Sequence, residues 1–212
     1  MPTILCFGDS NTHGVAPLTD IDNTAPRIAR RWPVVMANAL GWDLVEEGLP
    51  GRTFQFPCPV MGPHMDGRIG LFMALESHGP IDAIAIMLGT NDQKAHFEAT
   101  PDEILAGAAF FLDVCLSDEM QTRHGGFEPI LIAPPQPVER GPLAEEFAGA
   151  NDKGQAVTDG LRALAEARDV TFFDAGSAIE TAQIDGIHFD EASHEVLGKA
   201  LAQFIISETA PE

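Results

Sequence analysis

The feature that most constrains the fold is a series of short apolar runs separated by segments with helical periodicity. The strongest run is Asp82–Leu88, which is apolar nearly throughout, as expected of a central parallel strand buried on both faces. Similar but weaker runs predict four further strands, at Thr3–Phe7, Asp43–Glu47, Pro129–Ala133 and Val170–Phe173.

The segments between these runs predict helices. Thr100 and Pro101 have the residue types that favour a helix cap and a first helical position. Strands alternating with helices favour right-handed crossovers and a parallel sheet covered on both faces. We therefore predict an α/β fold, a three-layer α/β/α sandwich whose flavodoxin-like, mostly parallel sheet has five strands, with one domain spanning 1–212. The predicted helices are Ala29–Leu40, 66–78, Pro101–Cys115, 151–167 and Glu191–Ile206.

Charge and composition limit the partners of this chain of 212 residues. A formal net charge of −20 repels nucleic acid and anionic membrane surfaces, so we expect neither partner and a small neutral substrate instead. No apolar run approaches the roughly 20 residues that a transmembrane helix needs. Three widely spaced cysteines, an odd number, favour a reduced protein, which we expect to be cytoplasmic.

Two motifs suggest a nucleophile and a base. Ser10 follows the first predicted strand, where its hydroxyl would be exposed at a strand-to-helix turn. Asp185 and His188 follow the fifth strand, and a carboxylate three residues before a histidine on a tight turn can fix the imidazole tautomer. Taken singly, the serine is also typical of a helix cap, and the Asp-x-x-His segment of an ordinary turn.

Two more segments offer donors for a developing oxyanion. Asn91, at the end of the central strand, has a side-chain amide, and Gly51, after the second strand, has an unobstructed backbone N–H. Each is also an ordinary turn residue. All four segments follow strands, however, and the carboxyl ends of parallel strands meet at one edge of a sheet. We therefore expect them to form one site.

These motifs resemble the four sequence blocks of the SGNH (GDSL-type) hydrolases, over nearly the whole chain. The blocks are Gly8-Asp9-Ser10, Gly51, Gly89-Thr90-Asn91-Asp92 and Asp185-x-x-His188. The wider segments FGDSNTHG, EEGLPGRT and IMLGTNDQKAHF are most similar to the arylesterase, acyltransferase and carbohydrate acetylesterase branch.

The resemblance implies a serine esterase acting on short acyl esters of aryl, alkyl or carbohydrate alcohols. It implies Ser10 as nucleophile, His188 as base and Asp185 as its orienting acid, with Ser10, Gly51 and Asn91 as the oxyanion hole. It implies a homo-oligomer between dimer and octamer, and we predict neither a cofactor nor a metal. We expect Asn11, Thr90 and Ile187 to contact substrate.

The same residues are compatible with two other functions. A lysophospholipase or thioesterase could use the same triad, and a non-catalytic binding or assembly module could share the fold. One departure bears on acyl transfer: Val15 occupies a place where related acyltransferases have an aromatic residue. The pattern therefore favours hydrolysis over acyl transfer in water.

The remaining predictions concern local roles. Asp9 should hold the Ser10 turn, Asp190 should cap the last helix, and His194 should face solvent. Lys94 and His96 lie near Asn91 and could contact substrate, but we expect them instead to extend the turn and to meet a partner loop. The other histidines lack metal-ligand spacing. Long loops are predicted on the side of the site, at 15–26, 52–65 and 134–150. The apolar part of the second, 54–61, is either packed on its own core or forms a subunit interface or acyl-channel wall.

Overall fold

A computed structural model describes residues 1–20 and 27–209. Its centre is a sheet of five strands in the order β2-β1-β3-β4-β5, with every neighbouring pair parallel. This confirms the predicted flavodoxin-like sheet. The strands are β1 (Thr3–Gly8), β2 (Asp43–Gly48), β3 (Ala83–Met87), β4 (Glu128–Ala133) and β5 (Thr171–Asp174).

Helices cover both faces of the sheet. Short 3₁₀ turns occur in the loops, among them Asn91–Gln93 and Gly141–Leu143. The helices are α1 (Ser10–His13), α2 (Trp32–Leu40), α3 (Gly67–Ser77), α4 (Pro101–Cys115), α5 (Asp118–His124), α6 (Ala150–Ala167) and α7 (Glu191–Thr209).

Alternating side chains of each strand supply two separate cores. On one face, Phe7 and Ile86 pack with Phe111 of α4 and residues of α3 and α6. On the other, Cys6 and Met87 pack with residues of α2 and α7. Burial on both faces explains why the central strands are continuous apolar runs.

Local signals account for the helix ends. Thr100 and Glu103 form a reciprocal capping box, and α4 begins at Pro101 as predicted. Asp190 accepts a hydrogen bond from the Ser193 N–H at 2.8 Å, which fits the predicted cap of α7. The helix predicted from Ala29 begins at Trp32 instead, because Pro33 favours the first turn of a helix and disfavours its interior.

The structure differs from the sequence predictions at one helix and one histidine, and part of one predicted loop is not described. The sequence pattern did not predict α5. His194 was predicted to face solvent, but it is fully buried between α7 and α2; the prediction was wrong because packing of α2 against α7 covers that face. Residues 21–26 of the predicted 15–26 loop lie outside the described residues. The three cysteines are buried free thiols.

Candidate active site

Ser10, His188 and Asp185 form a hydrogen-bonded row at the carboxyl edge of the sheet. His188 Nε2 lies 3.1 Å from Ser10 Oγ, and His188 Nδ1 lies 2.7 Å from Asp185 Oδ2. Asp185 is fully buried, while Ser10 and His188 each keep 6% of their surface exposed. The chain thus brings together a hydroxyl, an imidazole and a carboxylate across 178 residues of sequence, with the reactive end facing the surface.

The ends of two sheet-associated segments position these side chains. Asp9 caps the short helix α1 by accepting the Asn11 N–H at 2.9 Å, so Ser10 begins that helix directly after β1. The turn 185–188 closes on itself because Asp185 Oδ1 accepts the N–H groups of Ile187 and His188, both at 3.0 Å. The predicted turn-holding role of Asp9 is confirmed.

Hydrogen bonds from the His188 imidazole and from three backbone N–H groups keep Asp185 ionised. Its Oδ2 accepts the Leu18 N–H at 2.7 Å, in addition to the two N–H groups on Oδ1. Burial acts to raise the pKa of Asp185, but the hydrogen bonds from His188, Leu18 and Ile187 outweigh it and hold the pKa below the usual value. An ionised Asp185 fixes the proton of His188 on Nδ1 and leaves Nε2 free to accept.

The predicted oxyanion donors border the same cavity as Ser10 and His188. This cavity has a volume of about 390 Å³, and Gly51 and Asn91 both line it. Gly51 has φ +89, and a Cβ there would lie 2.7 Å from Met61 Sδ, so only glycine suits this close approach. Asn91 Nδ2 donates to Arg52 O at 3.1 Å and, more weakly, to Asp9 Oδ2 at 3.3 Å.

A buried charged cluster lies behind the oxyanion donors. Burial raises the pKa of Asp9 to about 6 and that of Asp92 to about 7, and the charge of Asp9 adds to the second shift. Asp92 Oδ1 accepts the Phe54 N–H at 2.9 Å and so fixes the start of the 52–65 loop. Arg52 packs over the Phe7 ring, and burial lowers its pKa to about 10. The cluster ties three loops of the site together.

Of the three residues predicted to contact substrate, Ile187 lines the cavity. Asn11 and Thr90 do not. Asn11 instead joins α1 to the histidine segment, since its Nδ2 donates to Ile187 O at 3.1 Å and its Oδ1 accepts the Phe189 N–H at 3.2 Å. Thr90 is buried where the chain leaves β3. The amide of Asn11 therefore links the nucleophile segment to the histidine segment.

The cavity also contains residues that the sequence analysis did not assign to it. Leu143 and Phe147 belong to the predicted loop 134–150 and pack with Ile187. Their spacing of four residues is a helical signal that could have indicated a local apolar face. Lys94, for which substrate contact was the less favoured of two predictions, also lines the cavity and is paired with Glu146.

The 52–65 loop fits parts of both hypotheses for it. Phe54 is fully buried in the core, whereas Val60 is 89% exposed and Met61 lines the cavity.

The described residues contain no group of three or more potential metal-ligating side chains. Within the same ranges, no helix is long and apolar enough to cross a membrane.

Comparison with known proteins identifies the family. The model of the GDSL-like lipase/acylhydrolase family matches residues 6–196. The chain belongs to this family. As a GDSL-type hydrolase it shares the SGNH esterase fold with solved structures, while a comparison with curated protein sequences found no match.

Two solved structures illustrate how similar this GDSL-type hydrolase is to known esterases. The native M. smegmatis aryl esterase is 37% identical, with a TM-score of 0.90 over 98% of this chain and 99% of that one. Est24, a carbohydrate acetylesterase from Sinorhizobium meliloti, is 34% identical, with a TM-score of 0.88 over 98% and 100%.

Proposed function

We propose that this hydrolase cleaves short-chain acyl esters, acetyl esters above all, of aryl, alkyl or carbohydrate alcohols through Ser10. The observation that supports this most is the unbroken row Ser10 Oγ, His188 Nε2, His188 Nδ1 and Asp185 Oδ2, with separations of 3.1 and 2.7 Å. The similar structures, an aryl esterase and a carbohydrate acetylesterase, agree with this class of substrate.

The proposed reaction has two halves. His188 Nε2 takes the Ser10 proton as Oγ bonds to the ester carbonyl carbon, and the resulting oxyanion accepts hydrogen bonds from Ser10 N–H, Gly51 N–H and Asn91 Nδ2. The carbon–oxygen bond to the alcohol then breaks, and His188 returns the proton to the leaving oxygen. Water, deprotonated by His188, then attacks the acyl carbon, the bond from that carbon to Ser10 Oγ breaks, and His188 returns the proton to Oγ, which releases the acid and free Ser10.

Asn91 can contribute to the oxyanion hole by exchanging one weak contact. Its 3.3 Å bond to Asp9 is long for a hydrogen bond, whereas the 3.1 Å bond to Arg52 O holds the amide in place. An oxyanion at normal hydrogen-bond distance accepts more strongly than a carboxylate oxygen held at 3.3 Å. We therefore expect the tetrahedral oxyanion to compete for the N–H that now points toward Asp9.

Covalent labelling tests the nucleophile. A fluorophosphonate probe should add one adduct mass to the wild type, and Ser10→Ala should show none by intact-mass analysis. Ser207→Ala is a matched control, because Ser207 lies near the end of α7 and its hydroxyl donates to Phe204 O. An adduct that persists in Ser10→Ala, or an unlabelled wild type, contradicts the proposal.

The size of the cavity bears on acyl length. About 390 Å³ must hold both acyl and alcohol portions, and the walls include Leu143, Phe147 and Ile187. We expect kcat/KM on p-nitrophenyl esters to be highest for acetate and to fall toward octanoate. A maximum at octanoate would instead favour a lysophospholipase or thioesterase.

We further propose hydrolysis as the main outcome and self-association through the 52–65 loop. Val15 lines the cavity and is small enough to admit water to the acyl-enzyme. Added alcohol should therefore divert a minor share of product to a new ester.

The exposed Val60 supports the proposed self-association, and sedimentation of the wild type and Val60→Asp would test it.

A further inference from the structure

The cavity that holds Ser10 and His188 contains a charged pair that the proposed mechanism does not use. Lys94 and Glu146 both line it, with Lys94 Nζ 2.8 Å from Glu146 Oε1. The Lys94 side chain is 11% exposed and that of Glu146 is 34% exposed. The remaining walls are largely apolar and come from Val15, Leu18, Pro50, Met61, Leu143, Phe147 and Ile187.

Backbone and ring contacts hold this pair in place. Lys94 directly follows the 3₁₀ turn that carries Asn91, and the Ala95 N–H donates to Glu146 O at 2.8 Å. Lys94 Nζ also lies 5.7 Å from the centre of the Phe147 ring, within the range of a cation–π contact. The pair is therefore fixed relative to the oxyanion donor Asn91.

The pairing determines what the polar corner of the cavity can bind. The two charges cancel, so the corner has little preference for an anion or a cation. An ammonium has three N–H donors and a carboxylate has several acceptor positions, so both groups can bond beyond their mutual contact. Few polar groups in an otherwise apolar pocket are the usual means of fixing ligand orientation.

We propose that the Lys94–Glu146 pair selects esters whose alcohol portion carries further hydroxyl groups. The inference rests on the proposed function and specifies its substrate class. A hydroxyl can accept from Lys94 and donate to Glu146 at once. A short acyl group such as acetyl offers only a methyl, so the partner of the pair has to come from the alcohol. An alkyl alcohol would exclude water from the pair without offering it a hydrogen bond in return.

Two acetyl esters with the same number of carbons isolate this effect. The measurement is the ratio of kcat/KM for 1-O-acetylglycerol to kcat/KM for propyl acetate. We expect Glu146→Gln and Lys94→Met each to lower this ratio about tenfold, the usual loss for one hydrogen bond to a charged group. Both variants are used because Lys94→Met also removes the cation–π contact with Phe147, whereas Glu146→Gln does not.

A matched control removes a similar pair far from the cavity. Lys199 and Glu195 form a 2.6 Å ion pair on the exposed side of α7, so Lys199→Met and Glu195→Gln should leave the ratio as in the wild type. An unchanged ratio in Glu146→Gln and Lys94→Met, whether or not both rates fall together, overturns the proposal. Failure of the proposed function differs, because the wild type would then hydrolyse neither ester.

Discussion

His188 and His194 lie six residues apart and are both buried, yet their surroundings differ completely. His188 has an ionised carboxylate on one ring nitrogen and a hydroxyl on the other. His194 Nδ1 accepts the Trp32 N–H at 3.2 Å, and its Nε2 has no partner within the described residues. The first arrangement can exchange protons at an opening to solvent, while the second only joins two helices. Burial alone therefore does not identify a base.

The sharpest test of this difference is His188→Ala. Without a base, kcat on p-nitrophenyl acetate should fall by about 10⁶-fold, the size found in another serine hydrolase. Thermal stability should change little, because Asp185 keeps its three backbone donors. His194→Asn should show the reverse, with a lower melting temperature and a kcat near that of the wild type. Equal loss of kcat in His188→Ala and His194→Asn would contradict the assignment of His188 alone as the catalytic base.

Asp185→Asn tests whether the carboxylate is what separates the two histidines. An amide has no charge to stabilise the imidazolium and can hold the ring in the wrong tautomer, so kcat should fall by about 10⁴-fold. Single-turnover acylation by p-nitrophenyl acetate measures the affected step. Rates within tenfold of the wild type would show that His188 does not depend on Asp185.

Asn91→Ala removes an oxyanion donor and leaves both histidines unchanged. We expect kcat to fall by about 10² to 10³-fold with little change in KM, because the lost hydrogen bond forms mainly in the transition state. Steady-state kinetics on p-nitrophenyl acetate provides the measurement. A rise in KM at constant kcat would instead make Asn91 a ground-state binding residue.

Acid should destabilise the protein through His194. Burial lowers the pKa of His194 to about 4, and neighbouring Arg31 adds to this against the opposing effect of Asp190. The folded pKa lies below the unfolded value of about 6.5. The stability that neutral His194 contributes is therefore complete above pH 6.5 and is lost as the pH falls toward 4. The loss should be about 3 kcal/mol.

Urea unfolding measured at intervals between pH 7 and pH 4 checks this prediction, with His194→Asn as the comparison. The variant keeps an acceptor near the position of Nδ1 but cannot be protonated. Its free energy of unfolding should therefore fall less steeply with acid than that of the wild type. Parallel curves for the two proteins would assign the acid sensitivity to other groups.

The sequence alone predicted the sheet because its signals are local. The run 82–88 is typical of a parallel strand buried on both faces, and Thr100 with Pro101 marked the start of α4. The proximity of Ser10, Asn91 and His188 also followed, since parallel strands bring their carboxyl ends together. The match of all four motifs to strand ends made this inference stronger than any motif singly.

What the sequence did not predict depends on contacts between distant segments. His194 has the residue type of a surface position, and only the packing of α2 on α7 buries it. The Asn11 amide hydrogen-bonds to backbone groups of Ile187 and Phe189, a pairing that no local pattern reveals. Helix α5 is too short for its periodicity to stand out.

The bond from Leu18 N–H to Asp185 Oδ2 has a consequence for protein engineering. Loops that border an active-site cavity are the usual targets when an esterase is engineered for new substrates. Leu18 belongs to such a loop. Here remodelling that loop would also remove the Leu18 N–H, whose positive end stabilises the Asp185 carboxylate on which proton transfer depends. Libraries that vary neighbouring positions while keeping the backbone at 18 should therefore retain turnover more often than libraries that replace the whole segment.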